Sequence, residues 1–126
     1  IGLDSLPLEG VSIVADLEKG LGFIEDNTID KVISRHFLEH IENYENLIFD
    51  IYRVLNVGGI HEAIVPYFSN PHYYSDYTHK RTFGVYSFEY FTSEQYSKLK
   101  RKVPFFYNKV EFKEISIKIV FKDGNN

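Results

Sequence analysis

The stretch that decides the fold is residues 29–65, IDKVISRHFLEHIENYENLIFDIYRVLNVGGIHEAIV. Its first part, Ile29–Ser34, is a short apolar run, which predicts a strand. Apolar residues then recur at the helical period from Glu42 to Leu55, which predicts an amphipathic helix that Gly58-Gly59 ends. A second strand is predicted for Ile60–Val65. Strand, helix and strand in close succession favour a parallel sheet with crossover helices.

Two shorter apolar runs precede this stretch, and each ends at an acidic residue. Ile1–Asp4 predicts the end of a buried strand. Val11–Ala15 predicts another strand, and Asp16 follows it directly. The loop between them contains Pro7 and Gly10, which are typical of a turn. The fold class predicted from all of these segments is α/β.

The residues after the second long strand are more aromatic and less periodic. Residues 66–91 hold 10 of the 21 Phe and Tyr residues. Short helices are predicted at Ser87–Phe91 and at Ser93–Lys102, where Ser93 is a suitable cap. Alternating apolar residues over Ile115–Phe121 predict a final strand, with a bulge or a turn at Lys113-Glu114.

The composition is that of a single soluble domain spanning residues 1–126. Apolar residues make up 44% and charged residues 25%, both ordinary values. The absence of cysteine excludes disulfides and zinc–thiolate sites. No apolar run approaches the ~20 residues of a membrane helix and no signal peptide is visible, so we expect a cytoplasmic protein with no membrane partner. The lack of any methionine indicates a fragment.

The net charge of −4 is unevenly distributed along the chain. Residues 1–62 carry 12 acidic and 4 basic side chains, whereas residues 63–126 carry 6 acidic and 10 basic ones. The cluster Lys98–Lys102 is the most basic part. We interpret it as the solvated end of a helix, where cations are favoured, rather than as a site for nucleic acid. A nucleic-acid partner is therefore disfavoured.

Four segments, in order, carry a resemblance to a known family. They are Ile1–Asp4, Val14–Leu17, Ile29–His40 with its Leu-Glu-His turn, and Ile51–Ile60 with its Arg-Val-Leu-x-x-Gly-Gly pattern. Together they resemble class I S-adenosylmethionine-dependent methyltransferases of the group related to ubiquinone and menaquinone methylases. The resemblance covers residues 1–66. It implies a partial Rossmann-like fold, the carboxy-terminal two-thirds of a methyltransferase domain, with a mostly parallel sheet and flanking helices.

The resemblance implies that the chain binds S-adenosyl-L-methionine at the ends of its strands. Asp4 would accept hydrogen bonds from the ribose hydroxyls, since ligands of such folds sit beyond the carboxyl ends of parallel strands. Asp16 would accept a bond from the adenine amino group, and the backbone of Leu17 would complete the adenine pocket. The alternatives are a solvated turn residue for Asp4 and a helix cap for Asp16.

The resemblance also implies contacts for the loop after the strand Ile29–Ser34. In the family this loop lies along the methionine part of the cofactor and faces the substrate. Arg35, His36 and Phe37 are therefore candidate cofactor or substrate contacts. His40 is expected to pack or cap at the start of the following helix.

The glycine-rich loop of the family is missing from this sequence. None of the eight glycines forms Gly-x-Gly-x-x-Gly after a strand. The Gly58-Gly59 pair has no Lys-Ser/Thr partner and is not a phosphate loop. We expect the loop, if the gene encodes it, before Ile1, and weak or absent cofactor binding by this chain alone.

The histidine-rich part of residues 66–91 permits two interpretations. His72, Asp76 and His79 form a two-histidine, one-carboxylate set that suits a transition metal. We favour instead a polar loop whose histidines bond to their neighbours, and no metal ligand is predicted. In the family the corresponding loop covers the substrate, so the aromatic residues here either form a lid or complete the core. His79 or Asp76 is the candidate base for the acceptor's proton.

The predicted function is methyl transfer from S-adenosyl-L-methionine to a small-molecule acceptor. The alternative is a non-catalytic module with a degenerate methyltransferase fold that serves protein association. Self-association is expected in that case, because a missing first strand would leave a sheet edge unpaired.

Overall fold

The computed structural model describes residues 1–93, 103–104, 108 and 110–120. Three predictions lie wholly or partly outside these residues: the helix Ser93–Lys102, the basic cluster Lys98–Lys102 and the end of the strand Ile115–Phe121.

Within the described residues the chain alternates short strands and helices. The strands are β1 (Leu3–Asp4), β2 (Ile13–Val14), β3 (Ile29–Arg35) and β4 (Leu55–Ile64). The α-helices are α1 (Tyr44–Val54) and α2 (Pro71–Ser75), and the 3-10 helices are Leu17–Lys19, Leu38–His40 and Ser87–Phe91. The short helix predicted at Ser87–Phe91 is confirmed with these bounds.

The strands pair in parallel, as the order of the elements predicts. β3 and β4 are hydrogen-bonded in register from Lys31 opposite Ile60 to Arg35 opposite Ile64, and α1 is the crossover between them. Parallel strands cannot be joined by a tight turn, so the intervening helix is the expected connection. The predicted α/β class with parallel strands is confirmed.

The connection between α1 and β4 differs from the sequence prediction in the role of Gly58-Gly59. The helix stops at Val54, and Leu55 already has extended backbone angles and begins β4. Gly58 and Gly59 do not end the helix but lie inside β4, where the register jumps between the Leu55 and Ile60 pairs. Gly58 has φ +84°, which disfavours other residues. The two glycines therefore allow a bulged excursion of the strand, not a helix cap.

β1 and β2 form a second parallel pair that shares no strand with β3 and β4 in the described part of the chain. Leu3 pairs with Ile13 and Asp4 with Val14. Asp4 closes β1, and Asp16 follows β2 by two residues. Because both strands run the same way, the two acids lie at the same edge of this pair.

The core is built on one face of α1, which follows from the apolar stripe in its sequence. Four of its side chains are at most 3% exposed: Leu47, Ile48, Ile51 and Val54. They pack in one cluster with Leu38, Phe83 and Phe91. Burying one such aliphatic side chain contributes roughly 1.5–3 kcal/mol. The helix therefore anchors both the sheet and the aromatic segment that follows β4.

Arg53 attaches the loop before β3 to the end of α1. Its guanidinium donates to the carbonyls of Leu21 and Ile24, each at 2.8 Å, and to the carboxylate of Asp26 at 2.7 Å. The hydrogen bond that Arg53 donates to Asp26 is the main cause that raises the pKa of Arg53. Asp50, one turn earlier, accepts the Leu21 N–H at 2.6 Å. In this structure the Arg of the Arg-Val-Leu pattern thus has a structural role.

The carboxy-terminal prediction is wrong for the part that is described. Residues 113–120 form no strand, and the preceding Phe112 makes only an isolated bridge with Thr92. Alternation predicts a strand only where a partner strand covers one face, and Ile115 is instead 68% exposed. No helix in the described ranges is long and apolar enough to span a membrane.

Candidate active site

The carboxyl ends of β3 and β4 lie side by side and open into a cleft. His36, the first residue after β3, donates its N–H to the carbonyl of Ile64 at 2.8 Å and so continues the ladder. Its φ of +50° lies in the left-handed region, which is uncommon for a residue with a side chain. This turn reverses the chain into the 3-10 helix Leu38–His40. Strained backbone of this kind is concentrated at functional sites.

The cleft has a volume of about 300 Å³, and most of the residues that line it carry polar or ionisable groups. One wall comes from the turn after β3 and the other from the segment after β4. The lining residues are His36, Glu39, His40, Pro66, Asn70, His72, Tyr73, Asp76 and His79. Four of these nine are histidines and two are acids, a concentration that a purely structural cleft does not require.

Glu39 is the most unusual residue of the cleft. Its side chain is only 1% exposed, and Oε2 has no hydrogen-bond partner among the described residues. Oε1 lies 3.7 Å from Nε2 of His40. A buried carboxylate without a full set of partners is costly, so proteins retain one mainly where it has a role.

The segment that follows α2 is fastened onto the turn that carries Glu39. The N–H of Lys80 donates to the carbonyl of Glu39 at 2.7 Å. The guanidinium of Arg81 donates to the carbonyls of Ile41 and Glu42, and it lies 4.4 Å from the ring centre of Tyr44. These bonds join the segment after α2 to the turn after β3.

The two histidines at the floor of the cleft touch each other. The rings of His40 and His79 are 4.8 Å apart in an edge-to-face arrangement. Nδ1 of His40 bonds to the Thr78 hydroxyl at 3.1 Å, and Nδ1 of His79 bonds to the carbonyl of Tyr73 at 2.8 Å. Each ring is therefore held through Nδ1, and the Nε2 atoms face the two acids.

Asp76 stands beside His79 and is held by its own turn. Oδ2 of Asp76 is 3.4 Å from Nε2 of His79. Hydrogen bonds from the hydroxyl and the N–H of Thr78 lower the pKa of Asp76 below its ordinary value. The two residues that the sequence suggests as candidate bases, His79 and Asp76, therefore lie next to each other in the cleft.

The potential metal ligands considered from the sequence, His72, Asp76 and His79, do not converge as one group in the described residues. The helix α2 contains His72 but ends before Asp76, so His72, Asp76 and His79 do not share one helical face. The described residues instead place Glu39 and His40 with His79 as the group whose ligand atoms converge. Glu39 and the contacts of His40 were missed because both depend on a chain segment about 40 residues away.

The loop after β3 contributes only one of its three candidates to the cleft. His36 lines it. Arg35 is exposed at the end of β3, and Phe37 packs against the core. In the described residues neither Arg35 nor Phe37 lines the cleft.

The candidates at the ends of β1 and β2 have local partners. Oδ1 of Asp4 accepts the N–H of Leu6 at 3.1 Å, and Oδ1 of Asp16 accepts the N–H of Glu18 at 3.1 Å. Asp16 thereby caps the 3-10 helix Leu17–Lys19. Leu17 is half-buried against the core. The turn and cap roles weighed from the sequence are thus present, and they leave Oδ2 of each acid outside these bonds.

A family model described as methyltransferase domain matches residues 4–62. This stretch is similar to that family. It runs from the acid at the end of β1 through α1 and into β4, and the parallel strand pairs with a crossover helix agree with a partial Rossmann-like fold. No curated protein and no solved structure matches the chain.

The methyltransferase-like stretch supplies only one wall of the cleft. His36, Glu39 and His40 lie within residues 4–62, and the other lining residues follow them, from Pro66 to His79. Loops vary more between proteins of one fold than the strands and helices that they connect, and they commonly supply substrate contacts. The wall formed by the segment after β4 is therefore the expected place for such contacts.

Proposed function

We propose that the chain transfers a methyl group from S-adenosyl-L-methionine to a small-molecule acceptor in the cleft. The observation that carries this proposal is the position of the cleft at the carboxyl ends of two parallel strands, beside the stretch that matches a methyltransferase domain. In open α/β sheets this edge is where ligands bind. The likeness to ubiquinone and menaquinone methylases is part of the same proposal.

The residues present fit the adenosine half of the cofactor. Asp4 and Asp16 lie at one edge of the β1–β2 pair, and each uses only Oδ1 in its local bonds. Oδ2 of Asp4 is available to the ribose hydroxyls and that of Asp16 to the adenine amino group. The backbone of Leu17 lies next to Asp16 and completes this end. No Gly-x-Gly-x-x-Gly follows a strand in this sequence, so the fit does not extend to the carboxypropyl arm.

When bound, S-adenosyl-L-methionine supplies an electrophilic methyl carbon. The chain's own residues then have to orient the acceptor, exclude water and take its proton. His36 lines the cleft directly after β3 and is the candidate ligand contact on that side. We assign the acceptor's proton to His79 or Asp76, whose Nε2 and Oδ2 lie 3.4 Å apart. Tyr73, which is 2% exposed, covers part of the opposite wall.

The test is calorimetric titration of S-adenosylmethionine and S-adenosylhomocysteine into the 126-residue chain and into a longer chain that includes the upstream coding sequence. We expect the longer chain to bind more tightly. Asp4→Ala should weaken binding by roughly 10- to 150-fold, since a hydrogen bond to an ionised group contributes about 1.5–3 kcal/mol. Glu9→Ala is the matched control, an exposed acid in the loop after β1.

Absence of binding to both chains would remove the proposal. A non-catalytic association module would then be the better account, because the described chain exposes several apolar side chains near its end. Those at least 37% exposed are Ile115, Ile117, Ile119 and Val120. Equal loss of affinity in Asp4→Ala and Glu9→Ala would contradict the role of Asp4 alone.

A further inference from the structure

Three potential metal ligands converge at the floor of the cleft from two distant parts of the chain. Glu39 and His40 come from the 3-10 helix after β3, and His79 comes from the loop after α2. One ligand atom from each lies within 4.8 Å of the others. Imidazole and carboxylate together are a donor set that suits divalent transition metals.

Both histidines are already oriented as metal-binding histidines usually are. A ligating ring is normally fixed by a hydrogen bond from its other nitrogen to a carbonyl, carboxylate or similar group. Here Nδ1 of His79 is held by the Tyr73 carbonyl and Nδ1 of His40 by the Thr78 hydroxyl. This leaves Nε2 of each ring for an ion, on the side where the acids stand.

The burial of Glu39 is an independent observation in favour of a cation bound by these three residues. A carboxylate that is 1% exposed and whose Oε2 has no partner in the described residues needs a compensating positive charge. Its protein contact with His40, 3.7 Å at Oε1, is too long for a good hydrogen bond. A cation between Glu39 and the two rings would satisfy it.

We propose that Glu39, His40 and His79 bind one divalent transition-metal ion. Metal–ligand distances of about 2.0–2.2 Å require the three atoms to draw closer than they stand, a movement that side-chain rotation provides. Three protein ligands leave one or more positions open toward the cleft. Asp76, whose Oδ2 lies 3.4 Å from Nε2 of His79, is placed to become a fourth ligand.

The site has two consequences for the cleft. It joins the turn after β3 to the loop after α2, where Lys80 and Arg81 already make contact. It also places a Lewis acid where an acceptor oxygen would lie, which lowers the pKa of a bound hydroxyl. With the ion in place Nε2 of His79 is coordinated and does not take the acceptor's proton. Metal binding itself does not depend on methyl transfer.

The experiment is titration of metal-free 126-residue chain with Zn²⁺ by calorimetry and with Co²⁺ by visible absorption. We expect one equivalent of each ion and Co²⁺ absorption bands that report nitrogen and oxygen ligands. His40→Ala and His79→Ala should lose more affinity than the ~10–100-fold that removal of an outer partner costs. Thr78→Val, which removes the partner of His40, should fall within that ~10–100-fold range.

His72→Ala separates this site from the set considered from the sequence. His72 lines the same cleft but is outside the converging group, so its removal should leave the Zn²⁺ affinity within a few-fold of the original. Glu39→Gln keeps the size of the buried side chain and tests the carboxylate if the alanine variants fail to fold, which circular dichroism would reveal. It should lose the stoichiometric site.

Three outcomes would overturn the proposal. The first is the absence of stoichiometric Zn²⁺ or Co²⁺ binding by the unaltered chain. The second is a loss in His72→Ala as large as that in His79→Ala, and the third is full retention of binding in Glu39→Gln. None of these results bears on cofactor binding at Asp4, so failure here and failure of the methyl-transfer proposal are distinguishable.

Discussion

Residues 29–65 and residues 66–91 contribute to the cleft in different ways. The first region is periodic, buries its apolar side chains on α1 and forms the only long parallel pair in the described residues. The second has little regular structure beyond α2 and Ser87–Phe91, and it supplies two-thirds of the cleft-lining residues. The periodic stretch therefore supplies most of the core, whereas the cleft needs residues from both stretches.

The largest effect should come from breaking the core of the first region. Leu47→Ala removes a side chain that is 1% exposed and should lower the free energy of unfolding by about 2–5 kcal/mol. Urea denaturation followed by circular dichroism measures it. Glu45→Ala, on the exposed face of the same helix, is the control and should change it by less than about 0.5 kcal/mol. Similar losses in both variants would contradict the assignment of the core.

We expect the free energy of unfolding to change with pH by up to about 3 kcal/mol because of His61 on β4. Burial lowers the pKa of His61 from 6.5 to about 4. Between these values the unfolded chain binds a proton that the folded chain excludes, so stability is complete above pH 6.5 and falls as the pH drops toward 4. Denaturation across this range measures the slope. His61→Gln should flatten the slope, and an unchanged slope would show that other groups cause it.

The smallest of the three effects tests the attachment of the second region to the first. Arg81→Lys cannot reproduce the two bonds to the carbonyls of Ile41 and Glu42 or the stacking on Tyr44, so it should cost about 2 kcal/mol. Lys80→Ala is the control, since Lys80 makes its bond to Glu39 through the backbone. Proteolysis within residues 71–79 should rise in Arg81→Lys alone. Equal rates in both variants would show that Arg81 does not hold this segment.

The same contrast explains what the sequence predicts well. β3, α1 and their parallel partner follow from local periodicity, since residues a few positions apart decide which face is buried. The predicted end of α1 at Leu55 lies one residue from the observed end at Val54. The role given to Gly58 and Gly59 was wrong because they serve a bulge in β4, and a Gly-Gly pair has the same sequence signal in both settings. The strand predicted from Ile115 failed because strand formation needs a partner that alternation alone does not supply.

Only part of the candidate site could be predicted from the sequence, for a related reason. His79 and Asp76 were each named from the sequence as a candidate base, and they are only three residues apart. The meeting of His40 with His79 spans 39 residues and depends on how Lys80 and Arg81 dock. The burial of Glu39 involves the same long-range contact, and no local sequence pattern predicts it.

The 3-10 helix Leu17–Lys19 is joined to the start of α1 through a single side chain. The carboxylate of Glu18 accepts the N–H groups of Glu42 at 2.8 Å and Asn43 at 3.0 Å, at the start of α1. Glu18 directly follows Leu17, the residue proposed to line the adenine pocket, while Glu42 is three positions beyond Glu39. Glu18 is therefore the contact through which the proposed adenine pocket and the start of α1 would be coupled. Any such coupling would be reciprocal, so a ligand at either place would change the affinity at the other by the same factor.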